Sequence, residues 1–555
     1  MEKGRPLLRW AGILLVCAAI SIFCIEAQGE KEPAKAPATA RPDLVTIETL
    51  AAFGKLELPA VSFLHDRHTD VLLKEKKDCK TCHPVEDGKL SLAFKRKKGA
   101  KAAEIKSLYH SGCIGCHRET AGAGKKTGPL DGACRSCHNA KPAVASNRLD
   151  VGLDKVMHFR HVDAKAIPSN RPDLKDNCVR CHHEYDKQAK KTFYAKGKEG
   201  TCRYCHLAKP KEDVKSMEQA SHNQCVVCHL DLAGKGVKET GPFLCAGCHG
   251  AEGQALVARK NIDAVAKLEN KEVPRIKREQ PDVALIMLDP VVEAGKLTRP
   301  LVMNPVAFNH KAHEKYNDTC RVCHHAGMDA CAKKCHTLNG AKDGEFVRLE
   351  QAMHLRASSH SCVGCHARKQ AVTVCAGCHN HMDKARRPND AACKTCHLPL
   401  PDKALPADAV PTKEQKAAAA ETLLKARNMN VGTFAVDDIP EKVTIKTLAD
   451  QYEPAELPHR KIVLTLMKNM KENPLAGYFH FDQGTICQGC HHNSPAGKKP
   501  PRCGNCHGKP FDARQPNRPG LQAAFHGQCM GCHKDMALKK PAATACTECH
   551  KEKKK

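Results

Sequence analysis

Apolar residues along this 555-residue chain seldom recur at a period that would build a conventional core. The one long apolar run is AGILLVCAAISIFCI, residues 11–25. Elsewhere the apolar positions form short lead-ins to two histidines three residues apart: SFLHDRH at 62–68, VMHFRH at 156–161 and AFNHKAH at 307–313. A fourth version, GYFHFDQ at 477–483, has lost the second histidine and carries Gln483 instead. The longest cysteine-free stretches, 250–319 and 398–486, mix Pro-rich segments with Ala/Lys/Glu-rich ones such as TKEQKAAAAETLLKARN at 412–428. These read as short helices acting as linkers and braces. The pattern predicts a mostly irregular chain with short α-helices and little β-structure.

The N-terminus has Lys3, Arg5 and Arg9, then the apolar run, then EAQGE, which is the order of a secretory signal peptide cleaved near Ala27. An uncleaved membrane anchor is disfavoured, because the run is shorter than the roughly 20 residues a spanning helix needs. Lipid attachment at Cys17 or Cys24 is disfavoured by the bulky Val16 and Phe23 before them.

Cysteine changes the picture most. Setting aside Cys17 and Cys24 leaves 32 of the 34, and all fall in pairs whose second member is followed by histidine. A disulfide framework, the default for an exported chain, gives histidine no reason to be there. C-x-x-C-H is the c-type haem-attachment motif: two thiols add to the porphyrin vinyl groups, and the adjoining histidine is held under the iron.

In the first block the motifs are Cys79, Cys82 and His83; Cys113, Cys116 and His117; Cys134, Cys137 and His138. The second block has Cys178, Cys181 and His182; Cys202, Cys205 and His206; Cys225, Cys228 and His229; Cys245, Cys248 and His249. The third has Cys320, Cys323 and His324; Cys331, Cys335 and His336; Cys362, Cys365 and His366; Cys375, Cys378 and His379. An extra motif follows at Cys393, Cys396 and His397. The last block has Cys487, Cys490 and His491; Cys503, Cys506 and His507; Cys529, Cys532 and His533; Cys546, Cys549 and His550. Fifteen keep the regular spacing, while CAKKCH at 331–336 is one residue longer and is still assigned a haem. Sixteen haems per chain would supply the buried apolar material that the polypeptide lacks.

The formal charge of +28 suggests nucleic acid or anionic membrane as a partner. Loss of the signal leaves +27, and the 32 propionates of sixteen haems bring that to −5 with reduced iron, or about +11 with ferric iron. Basic residues here offset cofactors, and they lack the interleaved aromatics of a base-stacking surface. No nucleic-acid partner is expected.

Seventeen histidines remain outside the motifs, nearly one per haem, and their order repeats. With its paired histidines (His158, His161), doubled histidine (His183) and lone histidine (His222), the block 158–249 resembles the tetrahaem cytochromes c3 of sulfate-reducing bacteria. That resemblance implies bis-histidine iron: His158 on the His182 haem, His183 on the His206 haem, His161 on the His229 haem and His222 on the His249 haem. The first block, with His65, His68 and His110, has Pro84 in place of the doublet histidine and lacks the haem it would serve, so it resembles a trihaem c7 module. In the third block the candidate ligands are His310, His313, His325 and a lone histidine, His354 or His360. The extra haem at His397 is left with His360, His381 or His459.

The whole order resembles the sixteen-haem high-molecular-weight cytochromes c. The implied fold is tandem c3/c7-like modules with haems as the core: a signal peptide (1–27), a trihaem module (28–145), a tetrahaem module (146–255), a linker (256–300), a tetrahaem module plus one haem (301–400), a linker (401–475) and a tetrahaem module (476–555). The implied role is a periplasmic electron conduit in sulfate respiration. Its implied partners are tetrahaem cytochrome c3, through it periplasmic hydrogenase, and the integral-membrane subunits of a redox complex. The rival reading is a multihaem reductase, and no C-x-x-C-K motif supports one. The basic runs KRKKGAK (95–101) and KEKKK (551–555) are candidate docking sites, although a solvated charged face is the favoured account of them.

In the last block the resemblance implies His480 on the His491 haem, His492 on the His507 haem and His526 on the His550 haem. Gln483 then leaves the His533 haem without a sixth ligand, unless His459 closes it. The expectation is fifteen bis-histidine haems and one five-coordinate haem.

Overall fold

The structure, a computed structural model, describes residues 39–553 apart from 87–88, 97–98, 277, 294–295, 300–302, 383–389, 407–408, 428 and 448–451. The expected signal peptide lies outside the described residues, as do parts of both basic runs. Among the described residues no helix is long and apolar enough to cross a membrane.

The chain forms two compact units, Met1–Tyr194 with Cys205–Pro274 and Ala195–Tyr204 with Arg275–Lys555. Both are built from short helices, 3-10 turns and two-stranded ribbons, as expected from the lack of sustained periodicity. Thirteen apolar side chains are buried among the described residues, too few to hold a chain of this length without another apolar component. Haems supplying the missing core fits that deficit.

In the first unit, strands Leu44–Ile47 and Val61–Leu64 pair antiparallel and deliver the chain to the helix His65–Lys74, so that His65 stands at its first turn. The second block starts at the helix Lys155–Val162, where the Asp154 carboxylate accepts the Met157 N–H at 2.7 Å.

The second unit repeats the device. Strands Ala284–Ile286 and Val306–Phe308 pair antiparallel and lead into the helix His310–Tyr316, capped by Asn309. Against this ribbon packs the Ala-rich helix Lys413–Lys425, whose start is closed by reciprocal Thr412 and Gln415 hydrogen bonds. Its Ala419, Ala420 and Leu423 meet Leu285 and Ala307, and the small side chains permit close approach. This is the brace expected of that segment.

A third ribbon, Val443–Ile445 with Ala455–Leu457, leads into the helix His459–Lys471. The expected linker 401–475 thus contains the strand, histidine and helix that open a block, and the start at 476 is corrected to the ribbon before His459. A strand precedes the first histidine in three of the four blocks, and before His459 that strand ends in Leu457, followed by Pro458, where the other two carry a phenylalanine.

Candidate haem sites and their facing histidines

Many of the attachment motifs close on themselves. The His83, His182 and His324 N–H groups donate to the carbonyls of Cys79, Cys178 and Cys320, four residues back, each at 2.9 Å. In the expanded loop the His336 N–H reaches the Cys331 carbonyl five residues back at 2.8 Å. The extra residue is absorbed within the turn, and the same pair of ends still meets.

Fifteen of the sixteen motif histidines have a second imidazole facing them. In the first unit the pairs are His65 with His83 at 6.2 Å between ring centroids, His68 with His117 at 6.3 Å and His110 with His138 at 6.3 Å. There follow His158 with His182 at 6.1 Å, His161 with His229 at 6.1 Å, His183 with His206 at 5.9 Å and His222 with His249 at 6.2 Å. In the second unit His310 faces His324 at 6.3 Å, His313 faces His366 at 6.4 Å and His325 faces His336 at 5.9 Å. His492 faces His507 at 5.9 Å and His526 faces His550 at 6.0 Å. A metal bonded to both Nε2 atoms at about 2.0 Å would hold two ring centroids roughly 6 Å apart. The spacing fits one six-coordinate haem iron between each pair.

Three pairs depart from expectation. His354 faces His397 at 6.0 Å, so the ring opposite the extra motif is none of His360, His381 or His459. His480 faces His379 at 6.0 Å instead of His491, and His459 faces His491 at 6.3 Å. The physical reason is helical phase. In three blocks one nearly continuous helix carries a histidine three residues before its motif cysteine: His110 before Cys113, His222 before Cys225 and His526 before Cys529. Each such ring faces the block's last motif histidine. In the third block that position is Ser359, and the helix is broken between Leu349–His354 and Cys362–Gln370.

His480 supplies the missing ring from the helix Pro474–Phe479, which is docked on the extra motif. The Tyr478 hydroxyl donates to the Thr395 carbonyl at 2.8 Å, and the Arg427 guanidinium lies 4.6 Å from the Tyr478 ring.

Among the described residues two histidines face no motif histidine. His360, weighed as a ligand, stacks on His325 at 4.8 Å, and its Nδ1 lies 2.9 Å from the Val322 carbonyl. His381 lies against the backbone of Gly531 and 3.3 Å from Asp535.

Among the described residues His533 alone of the motif histidines lacks a facing ring. The Gln483 amide donates to the Thr433 carbonyl at 3.2 Å, so this side chain is engaged with a neighbouring loop. The repeat identifies a different position for the lost histidine. His65 and His310 each follow a strand and are followed three residues later by His68 and His313, which face the His117 and His366 rings. His459 follows a strand in the same way, and three residues later stands Ile462. The aromatic partner is lost with it: Phe63 packs on His68 at 4.3 Å and Phe308 on His313 at 4.2 Å, whereas the equivalent residue here is Leu457.

Burial favours neutral imidazoles, the form that binds metal. Desolvation pushes His68, His83, His229, His313, His366, His379 and His491 below the usual histidine range. Burial likewise pushes the thiols of Cys113, Cys362, Cys378 and Cys529 up to about 11 and that of Cys490 to about 12.

Four segments, 42–138, 139–249, 289–374 and 460–554, match the family model described as the class III cytochrome C family. The chain belongs to the class III cytochrome c family. The cytochrome is 48% identical to "High-molecular-weight cytochrome c" of Nitratidesulfovibrio vulgaris (strain Hildenborough) over 563 aligned positions covering all of both chains. It is 40% identical to "Nine-heme cytochrome c" of Desulfovibrio desulfuricans over 265 residues, 45% of this chain and 80% of that one. Among solved structures, the high-molecular-weight cytochrome c of Desulfovibrio vulgaris (Miyazaki F), determined in the presence of zinc ion, superposes with a TM-score of 0.77. It is 48% identical, and the match covers 95% of this chain and all of that one. The sixteen-heme cytochrome of Desulfovibrio gigas gives 0.78 at 38% identity, covering 93% and 100%. The cytochrome is thus a multihaem c-type, electron-transferring protein of the high-molecular-weight type, built of tandem c3-like modules.

Proposed function

We propose that the mature cytochrome carries sixteen covalent haems and works in the periplasm as an electron conduit, receiving electrons from hydrogenase through a small tetrahaem cytochrome c3 and passing them to a membrane-bound redox complex of sulfate respiration. The single supporting observation is the set of fifteen facing imidazole pairs. Iron held on both sides by nitrogen exchanges electrons and excludes reactants, and bis-histidine ligation keeps the potential below that of Met/His iron. Export by the N-terminal signal and association with membrane subunits belong to the same reading.

A second reading is favoured by one residue. Among the described residues no ring faces His533; a five-coordinate fifteenth haem there would be open to a small molecule, and a reductase activity would reside at it.

A haemochrome assay should return sixteen haems per chain, and fifteen would remove the one at Cys331 and Cys335. One carbon monoxide should bind per reduced chain; none would mean that all sixteen irons are closed. Reduction by hydrogenase should be slow alone and fast with tetrahaem cytochrome c3, and equal rates would overturn the assigned partner.

A further inference from the structure

An imidazole bound to iron through Nε2 carries its proton on Nδ1 and needs an acceptor there. Four of the facing rings use the peptide carbonyl four residues back on their own helix: His68 with Leu64 at 2.8 Å, His161 with Met157 at 2.7 Å, His313 with Asn309 at 2.7 Å and His480 with Ala476 at 2.9 Å. His65 and His310 begin their helices, where no helical carbonyl lies behind the ring. Their Nδ1 atoms are buried without a regular hydrogen-bond partner, and each faces a carboxylate. Asp66 Oδ1 is 3.5 Å from His65, and Glu314 Oε1 is 2.5 Å from His310.

Both carboxylates are anchored from behind. Asp66 is 6% exposed and accepts the N–H groups of Cys245 at 2.9 Å and Ala246 at 2.7 Å, at the start of the attachment turn that precedes His249. Glu314 receives Arg275 Nε at 2.6 Å and Nη2 at 2.8 Å, and the same arginine is paired with Asp282. His65, Asp66 and Cys245 lie close enough to ligate an ion, but two of the three are committed to haems.

We propose that Asp66 and Glu314 are positioning residues that give the axial rings His65 and His310 a charged acceptor in place of a peptide carbonyl, and so lower the midpoint potentials of the His83 and His324 haems. A charged acceptor draws the Nδ1 proton more strongly than a neutral carbonyl, lends the ring anionic character and stabilises ferric over ferrous iron. One such haem stands at the head of the first block in each unit. The inference rests on the reading of His65 and His310 as iron ligands.

The test uses the full holo-cytochrome, titrated stepwise in potential at fixed pH and followed by visible and electron paramagnetic resonance spectra. Asp66→Asn and Glu314→Gln should each shift one haem midpoint upward and change the low-spin ferric signal of that same haem. Asp282→Asn, which removes a carboxylate from the same arginine, should leave the His310 signal in place. If both variants retain sixteen haems and no midpoint moves, the proposal is overturned. If Asp66→Asn loses haem because its two backbone hydrogen bonds are lost, Glu314→Gln alone decides. His65→Ala separates the two levels: failure to create a second carbon monoxide site would sink the ligand reading itself.

Discussion

The blocks that begin at His158 and at His459 have the same parts and differ in self-sufficiency. In the first, His158, His161, His183 and His222 face the four motif histidines of their own block. In the second, His459, His492 and His526 face three of four, and the place three residues after His459 holds Ile462. His480, inside that same block, faces His379 of the block before it. A module can therefore lend a facing ring and lack one at once, because each ring is placed by its helix and not by membership of a repeat.

We predict the largest effect from removing what both blocks share. A chain matured without haem should show no cooperative thermal unfolding by circular dichroism, since the thirteen apolar side chains buried among the described residues cannot offset the entropy of ordering the chain. A cooperative transition in the haem-free chain would show that the polypeptide has a sufficient core of its own.

The comparison can be broken from either side. His161→Ala should make the self-sufficient block resemble the open one and raise carbon monoxide binding from one to two per chain. Ile462→His, with Leu457→Phe to restore the aromatic support, should close the open block and lower it from one to zero. Unchanged stoichiometry with Ile462→His would refute the equivalence of Ile462 with His68 and His313.

Gln483→His should leave carbon monoxide binding at one per chain, because residue 483 is engaged with the loop at Thr433. His480→Ala should open the haem of His379 while His491 stays paired, and the reverse outcome would restore the assignment of His480 to its own block. The smallest effect is expected from Tyr478→Phe, a loss of about 1 kcal/mol in thermal stability for one hydrogen bond to the Thr395 carbonyl.

Much of this was legible in the residues. The sixteen motifs, the doubled histidines His183, His325 and His492, and the lone His222 and His526 sit at fixed short distances from the cysteines they accompany. Local spacing on one helix or turn is enough to place them. Ile462 also stands at a legible spacing, three residues after His459, as His68 and His313 stand after His65 and His310. The aromatic lead-in that accompanies His68 and His313 recurs instead at 477–483.

By itself the sequence determined the cofactor chemistry, the number of attachment motifs, the modular order and the presence of one histidine-poor site, because covalent attachment and helical spacing are local properties. Tertiary structure decided which ring faces which. His354 turns to His397 because its helix ends there, and His480 reaches His379 because the helix Pro474–Phe479 is docked on the extra motif by Tyr478 and Arg427. Those contacts join residues tens of positions apart, and no spacing along the chain specifies which helix will stand beside which motif.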